Sequence, residues 1–215
     1  MAFIHHLKPL YVKVRREIII FAVQIEIAMY KTIIRTVFRL IVSPKAAWQS
    51  IAGREENHEE NHQEFLNGFL YPVFGVVALA SFVGGLWFVP DGSLQSALKQ
   101  TIVNTVTVFG GFYLSAYVLN ELAPRLNLVK SLLDWQRFAG YASIVVYLLF
   151  VILAFAPEFV IARLLVFYTV YIVFAGADAF WDVPDGSTMN FTVTASSLLI
   201  LAPLSIYGIL GLLIR

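Results

Sequence analysis

Five stretches of this chain, roughly 69–89, 101–122, 138–157, 160–181 and 191–214, each run for about 20 mostly apolar residues. That is the length a helix needs to cross a bilayer core about 30 Å thick. Inside lipid every backbone polar group must find a partner within the protein, which leaves helices as the economical answer for such segments. The pattern therefore predicts an all-α fold: a polytopic transmembrane helix bundle of five spans. Composition agrees, with 59% hydrophobic and 13% charged residues and a mean hydropathy of +0.77, where soluble domains carry about 45–50% apolar residues.

Residues 1–68 form a separate region by composition, made of amphipathic interfacial helices and an acidic linker, and 69–215 form the five-span domain. The opening, MAFIHHLKPLYVKVRRE, lacks the apolar core and small-residue cleavage site of a secretory signal, so no cleaved leader is expected. The absence of cysteine excludes disulfides, thiolate metal sites and a cysteine nucleophile. Nothing in the sequence points to a nucleic-acid partner.

Charge placement sets an orientation. Nine of the fifteen basic residues lie in 1–62: Lys8, Lys13, Arg15, Arg16, Lys31, Arg35, Arg39, Lys45 and Arg54. Basic segments stay in the cytoplasm. Alternation through five spans then places Arg125, Lys130 and Arg137 inside and Lys99, Arg163 and Arg215 outside. A multi-pass protein of the inner (cytoplasmic) membrane is expected, with the N-terminus in and the C-terminus out.

The segment 17–42 competes for a sixth span, which would invert that topology, but charged and amide residues interrupt it. At about 100° per residue, Lys13, Glu17, Gln24, Lys31, Arg35 and Arg39 share one stripe, so an interfacial helix attracted to anionic lipid is the preferred reading. Glu26 falls opposite the stripe and is a candidate functional polar position. In SPKAAWQSIAG, Ser43 suits an N-cap, Pro44 the first helical position and Gly53 a C-cap. Ala47, Trp48 and Ile51 share a face of that short helix, and Trp48 is expected to anchor among headgroups, as are Trp87 and Trp181 at span ends.

Several constellations could carry chemistry. His58-Glu59-Glu60-Asn61-His62 matches the zincin pattern of two histidines one helical turn apart with a glutamate between. Its flanks are polar and the tetrad EENH is repeated, so a solvated acidic run is preferred over a zinc hydrolase, and neither a catalytic residue, a cofactor nor a metal is expected. Asp178, Asp182 and Asp185 line one end of the fourth span, where they could receive a basic partner or a cation, or mark the exit from the membrane. Glu121 and Arg125 are spaced to pair across a helix end. Asn104, Thr105 and Thr107 are the modest candidates for a polar path in a small transporter or channel, the competing function.

WFVPDGS at 87–93 is repeated as WDVPDGS at 181–187. Tryptophan at a span end, Pro-Asp-Gly as a turn and serine as a helix cap account for each letter locally. The two copies would sit on hairpins inverted about the third span, as in transporter repeats, yet similarity does not extend beyond them, and convergent turns are the preferred reading.

FRLIVSPKAAWQSIAG, LNELAPRLN, GYASIVVYLLFVILAF and YTVYIVFAGADAFWDVPDGSTMNFTVTASSLL, in that order over 38–212, resemble the bacterial branch of the YIP (Ypt/Rab-interacting) family of five-span membrane proteins. The resemblance implies a non-enzymatic integral membrane protein that acts through lipid or partner contacts, with a homo-oligomer or a membrane-protein partner as further expectations. The chain lacks the DLYGP-like stretch of eukaryotic members, so the resemblance does not extend to small-GTPase binding. Gly84, Gly85, Gly110 and Gly111 are the positions expected to let helices approach closely.

Overall fold

The computed structural model describes residues 24, 27–56, 61–89, 92–126, 128, 130–181, 183–184 and 186–213. The chain divides into two compact units, Met1–Thr36 and Val37–Arg215. In the first, residues 27–36 are helical, with Ile27, Lys31, Ile34 and Arg35 exposed. Glu26 and the N-terminal part of the expected amphipathic helix lie outside the described residues, as do His58, Glu59, Asp182 and Asp185.

The second unit begins well before residue 69, the boundary expected from composition. Helical residues 37–42 lead through Ser43 into α1 (Pro44–Glu56). Ala47, Trp48 and Ile51 do share a face, and that face is buried within the unit. The helix also runs through Gly53 instead of ending there. Gly53 has no left-handed backbone conformation to stop it, and a glycine inside a helix costs only about 1 kcal/mol.

Next comes α2 (His62–Trp87), which starts about two turns ahead of the expected span. Asn61 and Glu64 form a reciprocal cap there: Asn61 Oδ1 accepts from Glu64 N–H at 2.9 Å, and Glu64 Oε2 accepts from Asn61 N–H at 3.0 Å. Residues Leu66–Leu70 form a π turn, in which Tyr71 N–H reaches back to Leu66 O. Pro72 follows with no N–H to donate, so the widened turn takes up the distortion a proline imposes on a helix.

Helix α3 (Leu94–Leu122) begins where Ser93 Oγ accepts from Ser96 N–H at 3.1 Å and tightens into a 3-10 turn over Ala123–Leu126. The third apolar stretch is broken into α4 (Leu132–Ala142) and α5 (Ile144–Phe155), bent by 42° at Ser143. Ser131 and Asp134 cap α4 reciprocally, which starts it six residues before the apolar stretch. Helix α6 (Val160–Ala179) opens as a 3-10 segment to Phe167, and α7 (Thr188–Leu213) contains Pro203.

The described residues are all helical or connecting, and α2, α3, α6 and α7 are each long and apolar enough to cross a membrane; the bent pair α4–α5 makes a fifth span when its two halves act as one. Outward-facing Leu79, Ile102, Phe174, Val193 and Leu201 are 51–67% exposed, a distribution that suits contact with lipid and not with water.

Helix α3 packs on α2, α4 and α7, while α5 packs on α2 and α6 on α7. Missing side chains make three of these contacts. A Cβ at Gly84 would run into the Ala154 carbonyl on α5, one at Gly85 would lie 2.6 Å from Ala97 Cα, and one at Gly111 would lie 2.7 Å from Pro203 Cβ. These are intrachain versions of the close approach that small residues permit in membranes.

Candidate functional site

The two ends of the bundle are filled differently. At the end formed by α1, α4 and the start of α7, rings occupy the interior: Trp48 stacks on Phe138 at 5.2 Å, and Trp135 lies 4.4 Å from Trp181. Lys130 Nζ sits 5.4 Å above the Trp181 ring. Trp48 and Trp181 are 0% and 3% exposed. Their expected role as headgroup anchors is therefore replaced by ring packing, because α1 folds back onto α6 and turns its tryptophan inward. Trp87, in the other heptad copy, is 71% exposed.

At the opposite end the packing leaves a gap. The Gly84 contact draws α5 against α2, and the Gly111 contact draws α7 against α3. Between them lies a half-open cavity of about 410 Å³, within the roughly 300–1,000 Å³ range of ligand sites. Leu149, Leu153 and Ala154 of α5 and Ile200, Pro203 and Leu204 of α7 form its walls. Phe150 and Tyr207 meet edge to face there with centroids 6.2 Å apart.

Four polar side chains line this space: Gln100, Asn104, Arg163 and Tyr207. Asn104 is buried and donates from Nδ2 to Ser81 Oγ at 2.9 Å, fixing α3 to α2. Arg163 projects from the 3-10 segment of α6, and its neighbours Ile161 and Leu164 are 70% and 63% exposed. Among the described residues no carboxylate lies within ion-pair distance of Arg163, Glu158 in the preceding turn included. A long apolar trough with one cation at its mouth can hold a molecule with an apolar tail.

The other expected positions sit elsewhere. Asp178 receives Lys45 of α1 at 3.0 Å, with both side chains about two-thirds exposed, so the pair is a solvated link between α1 and α6. Glu121 and Arg125 are both exposed and form no ion pair, because the 3-10 turn after Leu122 removes the four-residue helical spacing they would need. His62 opens α2 with its ring 6.1 Å from Phe65. Thr107 is fully buried, and neither Thr105 nor Thr107 lines the cavity, so of the three polar-path candidates Asn104 alone reaches it.

Sequence reasoning passed over Gln100, Arg163 and Tyr207. Arg163 carried a usable signal: it interrupts an apolar helix three residues after its start, yet it was read only as a basic residue on the outer side. Gln100, just ahead of the second apolar stretch, and Tyr207, within the fifth, carried none, since each is an ordinary residue in such a position. No protein-family model, curated protein or solved structure matches the chain.

Proposed function

We propose that this is a non-enzymatic multi-pass protein of the YIP type in the bacterial inner membrane, and that it works by holding a lipid tail in the cavity between α5 and α7. The order of segments over 38–212 supports the family assignment. Twelve basic residues on one side of a five-span topology against three on the other support an N-in, C-out orientation.

The observation that carries the functional reading is the cavity itself. At membrane depth a mostly apolar space of about 410 Å³ open on one side is filled by acyl chain, since its aliphatic and aromatic walls give water no partners away from the few polar groups. Two of its wall residues, Ala154 and Pro203, are themselves fixed by the close contacts with Gly84 and Gly111, so the space belongs to the packing of the bundle.

The test is to purify the protein in mild detergent and quantify retained phospholipid by mass spectrometry, beside a Leu204→Trp variant that fills the cavity from an exposed wall position. Retention in the parent and loss in the variant are expected; equal retention in both contradicts the reading. Asn104 at the cavity favours the small transporter as the alternative. Substrate flux in proteoliposomes would then accompany binding, whereas a lipid-holding bundle gives none.

A further inference from the structure

The polar groups around the cavity choose among lipids, an inference that rests on the tail-holding reading above. Arg163 lies one 3-10 turn into α6, three residues after Val160, so its guanidinium stands near the end of that span, where a long basic side chain can reach the edge of the hydrocarbon. The exposed apolar residues on either side of it, Ile161 and Leu164, face outward. A guanidinium at that depth is stabilised by a bidentate anion, and phosphate matches its fork of donors.

Among the described residues the cavity lining contains one cation and no carboxylate. It therefore offers a partner for a phosphate and none for the ammonium of a zwitterionic headgroup. Gln100 and Asn104 lie on the α3 side of the same space and can donate to the ester oxygens that follow the phosphate. Leu153, Phe150 and Leu204 continue the path as apolar wall.

We propose that the cavity is a binding site for an anionic phospholipid, with its headgroup phosphate on Arg163 and one acyl chain between α5 and α7. Selection comes from net charge at the mouth, and retention comes from the trough.

Native mass spectrometry with phosphatidylglycerol and phosphatidylcholine of matched chains tests this. The parent protein should favour phosphatidylglycerol about five- to tenfold, the effect of one basic side chain near a membrane surface. Arg163→Gln should abolish the preference and Arg163→Lys should restore part of it. Arg163 is exposed, so neither change threatens folding. Leu204→Trp should weaken both lipids alike. If the parent binds the two lipids equally, or the preference survives Arg163→Gln, the headgroup assignment is overturned. When Leu204→Trp still displaces both lipids in that case, the tail-holding reading stands alone; when it displaces neither, both fall.

Discussion

Trp48 Nε1 donates a hydrogen bond to the carbonyl oxygen of Ile172 at 2.9 Å, across 124 residues of chain. This bond, with the rings of Phe138 and Phe180 each 5.2 Å from the indole, docks α1 on α6. Gly176 makes room for it, since a Cβ there would lie 2.8 Å from Trp48 Cε2. Trp48→Ala should cost about 3–5 kcal/mol. Trp48→Phe keeps most of the packing and should cost less, with the lost hydrogen bond worth about 1 kcal/mol. Thermal unfolding in detergent reads both, and a Trp48→Ala protein as stable as its parent would remove α1 from the bundle core.

Glycines divide into those under another helix and those in open space. Gly84→Ala pushes a methyl into the Ala154 backbone, which cannot retreat as a flexible side chain would. It should destabilise by about 1–3 kcal/mol, the usual cost of overpacking. Gly75 faces nothing within 4 Å, so Gly75→Ala should leave stability within about 1 kcal/mol of the parent. Equal effects of the two substitutions in the same unfolding assay would deny the close α2–α5 contact.

The spans were legible because apolar length reports directly on them. The five stretches found their helices, and Ser93 caps α3 as the turn chemistry required. Environment was less legible. Trp87 and Trp181 stand in nearly identical heptads, yet one is exposed and the other is buried with its ring 4.4 Å from Trp135. What separates them is the neighbour that tertiary packing supplies, since Trp181 lies where α4 arrives. Helix starts moved for a similar reason. The Asn61–Glu64 and Ser131–Asp134 caps extend α2 and α4 into polar sequence that hydropathy alone assigns to loops. The cavity was invisible for a deeper reason: it is defined by where α5 and α7 fail to fill space, and no local pattern encodes a gap.

The N-in, C-out orientation proposed from the basic residues is open to direct labelling. The chain has no native cysteine, so single cysteines at Ser93 and Ser187 can be introduced cleanly. In intact cells a membrane-impermeant maleimide should modify the Ser93 position and spare the Ser187 position, placing the two heptads on opposite faces. Equal labelling would put both on one face with an even number of crossings between them, the result if the bent α4–α5 pair does not cross as one span.

Photo-crosslinking addresses the lipid-holding account most directly. A phospholipid carrying a diazirine on its acyl chain, incorporated with the protein and activated, is mapped by peptide mass spectrometry. Crosslinks should concentrate on the cavity walls, at Leu149–Ala154 of α5 and Ile200–Tyr207 of α7, and should fall when Leu204→Trp fills the space. Crosslinks spread evenly over outward-facing positions such as Leu79, Ile102 and Phe174, with no excess at the cavity and no change in the variant, would contradict the account.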